Sequence, residues 1–71
     1  MILSLRQAII KRVHDKSEEE LVGVIEDSIG GDDKALPGLG VLFEIIWENS
    51  GEGERKTMAL TLKNHLNEAA D

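Results

Sequence analysis

Residues 36–47, LPGLGVLFEIIW, decide how this chain folds. Only Glu44 among these twelve residues is charged. On a helical wheel of about 100° per residue, Gly40, Glu44 and Glu48 share one narrow side. Leu39, Val41, Leu42, Phe43, Ile45, Ile46 and Trp47 occupy the rest. A helix that is apolar over most of its circumference belongs where several neighbours cover it. The reading is therefore a central helix over 37–49, with only the Gly40–Glu44–Glu48 strip facing water. Pro37 suits the first turn, where its missing N–H costs nothing. Gly38 and Gly40 are poor helix formers, and are expected to admit the close approach of another helix.

Three further helices follow from the flanking sequence. Ser4 and Gln7 have the spacing of a capping box, in which each side chain satisfies a free backbone N–H. Leu5, Ala8, Ile9 and Val13 then recur at helical spacing, giving a helix over 5–14 with Ile2 and Leu3 expected to tuck against the core. Ser17 and Glu20 repeat the box, and Glu18, Glu19 and Glu20 complement the positive end of the dipole. Leu21, Val24, Ile25 and Ile29 form the apolar stripe of a helix over 18–29, stopped by Gly30-Gly31. Residues 30–35 read as a polar loop. A last helix over 53–68 presents Met58, Leu62, Leu66 and Ala69 inward, with Leu60 on the opposite side. Ser50 is its candidate cap, although Gly53 stands where a box would place Glu or Gln. The expected fold is all-α: one four-helix domain over 1–71, a helical bundle around a central, nearly all-round apolar helix.

Bulk properties narrow the function. A chain of 71 residues holds one domain, and a core of that size supplies only ~3–5 kcal/mol. With no cysteine, disulfides and thiolate zinc sites are excluded. The central apolar run is well short of the ~20 residues that span a bilayer, and no run resembles a signal peptide. The expectation is a soluble chain that stays where it is made. The net charge of −6 makes the chain a poor generic ligand for a phosphate backbone.

No reaction centre emerges from the residues. Pro37-Gly38-Leu39-Gly40 lacks the Gly-Lys-Ser/Thr or GxGxxG pattern of a phosphate loop. His14 and His65 have no nucleophile or orienting partner at local spacing. Asp32-Asp33 lacks the alternating ligands of a calcium loop, and Glu18–Glu20 is explained by helix capping. Ser28 is expected to bond back to the Val24 carbonyl. Catalytic, cofactor and metal sites are accordingly expected to be absent, with no small-molecule substrate inferred. Reading the second and third helices as a helix-turn-helix fails because the recognition helix would be the apolar stretch itself.

Two surfaces stand out. Arg6, Lys11, Arg12 and Lys16 make the N-terminal third locally basic. They form either a nucleic-acid face or, the reading favoured here, a solvated face paired with nearby carboxylates. Trp47 and Leu60 are the candidate interaction residues, since Trp serves equally as core and as interface anchor. So apolar a helix in so small a chain also admits a homodimer.

The central stretch, the preceding Asp32-Asp33-Lys34, the opening Leu3-Ser4-Leu5-Arg6-Gln7-Ala8-Ile9-Ile10 and the chain length resemble the small acid-soluble spore protein I family of Bacillus-type bacteria. Glu20-Leu21 and residues 25–29 fit the same register. After Trp47 the likeness is looser, because Gly51 and Gly53 make the start of the last helix richer in glycine. The resemblance implies a minor component of the dormant spore, made late in sporulation in the forespore, held in the spore core and without enzymatic activity. The abundant α/β-type spore proteins that coat DNA are not what this sequence resembles, so DNA binding does not carry over.

Overall fold

The computed structural model describes residues 4–70. Four α-helices and one 3-10 turn follow in order: α1 (Leu5–Val13), α2 (Glu18–Ser28), the turn Asp33–Ala35, α3 (Leu36–Glu48) and α4 (Glu52–Ala70). No strand occurs among the described residues, and the fold is all-α. The packing expected of Ile2 and Leu3 lies outside the described residues.

Local chemistry sets the helix ends. Ser4 Oγ accepts from the Gln7 N–H at 3.1 Å, while Gln7 Oε1 accepts from the Ser4 N–H at 3.0 Å. Ser17 and Glu20 reproduce this reciprocal pair at 3.2 and 3.0 Å. Both boxes satisfy N–H groups that a helix start leaves free. The Ser17 N–H also holds the Glu20 carboxyl below its ordinary value of 4.5. α2 stops at Ile29, which is extended (ψ 125°) and points into solvent, so it leaves the apolar stripe assigned to it. Gly30 then takes φ +72°, the left-handed conformation that glycine adopts cheaply. The expected polar loop contains the 3-10 turn, capped by Asp32 Oδ1 accepting from the Lys34 N–H at 2.9 Å. Its last residue leads directly into α3, with Pro37 in the first turn. The Ser28 hydroxyl donates to the Val24 carbonyl at 2.8 Å, the local bond its position predicts.

α1 and α2 both pack on α3, which places the organising helix where its sequence predicts. The cover is one-sided. Val41 is the buried residue of the core, at 6% exposure. Leu39, Leu42 and Trp47 are half-buried, while Phe43 (50%), Ile45 and Ile46 are exposed. The expected water-facing strip is exposed at Gly40 and Glu48, and its middle residue, Glu44, also meets α1. Arg6 of α1 grips Glu44 there through two parallel bonds, Nε to Oε1 at 2.9 Å and a terminal nitrogen to Oε2 at 3.0 Å. The two glycines do not serve close packing either: a Cβ added to Gly38 or Gly40 would meet nothing within 4 Å.

α4 departs furthest from expectation. Among its residues 52–69, only Arg55 and Met58 are half-buried, and residues 60–69 are exposed throughout. Leu62 and Leu66, assigned to an inner face, are 60% and 50% exposed. The helix runs away from α3 instead of lying along it. The chain measures 41 × 29 × 26 Å. Its radius of gyration of 13.8 Å exceeds the ~11 Å expected of a compact domain of this length.

Candidate functional site

The junction of α3 and α4 builds an open groove. α3 carries no basic residue in its last turn to balance the negative end of its dipole. α4 supplies one. Arg55 Nε donates to the Trp47 carbonyl at 2.8 Å and a terminal nitrogen donates to the Glu48 carbonyl at 3.3 Å. The Asn49 side chain donates to the Ile45 carbonyl at 2.8 Å and the Ser50 hydroxyl to the Ile46 carbonyl at 2.6 Å. Each of the last four carbonyls of α3 thus has a partner, which a helix C-terminus does not provide for itself. Ser50, expected to cap α4, therefore closes α3. The start of α4 is held by Glu54 Oε1, which accepts from the Gly51 N–H at 3.1 Å.

This clamp ties the first turn of α4 to the last turn of α3. Phe43 and Trp47, one helical turn apart, lie on the α3 side of the gap with ring centroids 5.8 Å apart and planes tilted by 42°. The Arg55 guanidinium sits 5.8 Å from the Trp47 ring centroid, within cation–π range. Met58, Ala59 and Leu62 face them from α4, with Glu44 and Glu48 on the rim, around a cavity of about 640 Å³. Its walls are apolar and open to solvent. Of the two expected interaction residues, Trp47 lines this groove. Leu60 is exposed but lies two residues from Leu62, on the far side of α4. The structure does not bring the two together. Sequence reasoning missed Arg55; the available signal was an α3 C-terminus without a cation, followed by an arginine seven residues on.

A second cleft, about 750 Å³, lies between α1, α2 and the start of α3. Leu5, Ile9, Val24 and Leu42 give it an apolar lining, while Arg12, Lys16, Lys34 and Asp32 also border it. The four-residue basic face is thereby divided. Arg6 is committed to Glu44, the one ion pair within 4 Å among the described residues. Arg12 and Lys16 share the cleft with Lys34, and Lys11 does not border it. The Arg6 hydrogen bonds hold the Glu44 carboxyl below its ordinary 4.5, and Glu44 in turn raises the Arg6 pKa.

His14 caps the end of α1 in solvent, and exposed His65 donates through Nδ1 to the Thr61 carbonyl at 2.8 Å. Among the described residues no group of three or more acidic or histidine side chains has metal-binding geometry, and no helix is long and apolar enough to cross a membrane.

Fold and surface define a small all-α protein whose main feature is an open apolar groove between two helices. Residues 3–66 match the family model of small, acid-soluble spore protein I, and the chain belongs to that family. It is 46% identical to the Bacillus subtilis (strain 168) protein of that name over 70 residues, covering 97% of this chain and 99% of the relative. It is 48% identical to the Bacillus licheniformis protein over 67 residues, covering 93% and 96%. Identity to the Bacillus cereus (strain G9842) protein is 45% over 67 residues, covering 93% and 97%. No solved structure matches. The chain is therefore a protein of sporulation, of the small acid-soluble class.

Proposed function

We propose that this protein is a non-enzymatic, protein-interaction component of the dormant spore core, made in the forespore during sporulation. One observation carries the interaction reading: the α3–α4 groove leaves Phe43, Leu62 and part of Trp47 uncovered, although α3 is the most apolar segment of the chain. An apolar groove with a polar rim is the anatomy of a protein contact. Family membership supports the sporulation context. The compartment is tested by tagging the chain at its own locus and following it through sporulation. The tag should appear late, in the forespore, and remain with the core after the coats are stripped. Signal in growing cells or in the stripped coat fraction would overturn the assignment.

A nucleic-acid role for the N-terminal basic face is the lesser reading. Arg6 is neutralised by Glu44, and Arg12, Lys16 and Lys34 sit on a chain of net charge −6. Titration into duplex DNA at low salt should show no salt-sensitive binding. Binding that weakens steeply with salt would reverse the preference.

A further inference from the structure

Resting on that reading of the groove, we propose that its occupant is a second copy of this chain, and that α3 and α4 form a two-fold symmetric homodimer interface.

Three observations converge on self-association. The first is area. The single chain exposes 6214 Å². A compact monomer of 7.8 kDa exposes ~4,400 Å² by surface-to-mass scaling. The surplus of ~1,800 Å² exceeds the ~800 Å² per partner that a stable interface removes from water. The second is the pair of deficits the chain carries. The Phe43–Trp47 side of α3 has no helix lying along it, and the Leu62–Leu66 stripe of α4 has no floor. In a two-fold arrangement the α4 stripe of each copy supplies the cover that the α3 face of the other lacks, which is the self-complementarity an isologous interface requires. The third is stability. Residues 60–69, the second half of the 19-residue α4, are exposed throughout, and most helical stability in proteins comes from packing an amphipathic face, packing that these residues lack within the chain. The chain has no cysteine, which leaves oligomerisation among the few staples open to so small a domain.

Two features prepare the groove for this partner. The Arg55 clamp already ties the start of α4 to the end of α3, so less ordering is needed on association. Of the two rim carboxylates, Glu44 already has its charge matched by Arg6, and exposed Glu48 is placed to stay at the solvent edge of the contact.

The test uses two matched substitutions on the full chain. Leu62 and Leu60 are 60% and 57% exposed on opposite sides of α4, so a glutamate at either disturbs the single chain equally little. Wild type and Leu60→Glu should sediment at twice the 7.8 kDa chain mass. Leu62→Glu should sediment as one chain, losing helical circular dichroism only to the extent that residues 60–69 fray while α1 to α3 stay helical. A monomeric wild type, or the same response from both variants, overturns the proposal. Should Leu62→Glu lose helicity beyond that segment, dilution of the wild type decides. Trp47 emission should move to longer wavelength as the mass halves, and constant emission overturns the proposal. A monomeric wild type would remove the self-association alone, because the spore-core assignment is read separately in sporulating cells.

Discussion

Truncating Val41 and truncating Phe43 should have different consequences, and the difference follows from burial. Val41 is 6% exposed where α1 and α2 meet α3. Val41→Ala removes the equivalent of two methylenes at ~0.8 kcal/mol each, and the residual cavity brings the loss to ~2 kcal/mol. Against a net stability of ~3–5 kcal/mol for a domain this small, that is about half. It corresponds to a melting point lower by ~10–15 °C at ~4–8 °C per kcal/mol. Phe43 is 50% exposed in one chain. A fully buried Phe→Ala costs ~3–5 kcal/mol, so the loss within a single chain is about half that or less. The remainder depends on the second copy, and therefore on concentration. Urea unfolding followed by circular dichroism at high and low protein concentration separates the two. The Val41→Ala loss should be the same at both concentrations, whereas the Phe43→Ala loss should grow as the protein is concentrated. A Phe43→Ala loss that is large and independent of concentration would show α3 enclosed within one chain. A Val41→Ala loss below ~0.5 kcal/mol would show that α3 is not the core.

Two further predictions concern backbone and charge. Gly40 lies inside α3 with open space where a side chain would go, so Gly40→Ala should stabilise by up to ~1 kcal/mol in dilute thermal melts, whereas Gly30→Ala at φ +72° should destabilise by a similar amount; the same sign for both would refute the assigned conformations. Glu20 and Glu44 have pKa values below their ordinary 4.5 when folded, so their contribution to stability is present above that pH and is lost as pH falls through the folded values. The melting-point gap between wild type and Glu20→Gln/Glu44→Gln should accordingly close on acidification, and a gap unchanged from neutral to strongly acid solution would refute these attributions.

What could be read from the sequence was local. The Ser4–Gln7 and Ser17–Glu20 boxes, the Ser28 back-bond and Pro37 in the first turn of α3 involve partners within four residues, where spacing alone determines geometry. The all-α class follows from the same periodicities. What could not be read was the phase of α3. A helix apolar nearly all round carries no sequence signal for which side its neighbours cover. α1 is tied to the Glu44 edge of α3 because Arg6, 38 residues away, finds its carboxylate partner there. The groove was hidden for a related reason. Its closed end is tied by Arg55 reaching back to the Trp47 and Glu48 carbonyls, a contact that hydrophobic patterning does not encode. Trp47 was visible as a candidate, but Leu62 looked like a core residue because its stripe is regular, and regularity does not say which molecule the stripe meets.

Amide hydrogen exchange along α4 tests the central claim most directly, because residues 60–69 are exposed and have little beyond their own helical hydrogen bonds to protect them within the chain. If a second copy covers the Leu62–Leu66 stripe, these amides should exchange slowly in concentrated protein and approach unfolded-chain rates on dilution, while those of α3 around Val41 stay protected. Protection of residues 60–69 that is unchanged by dilution would contradict the account.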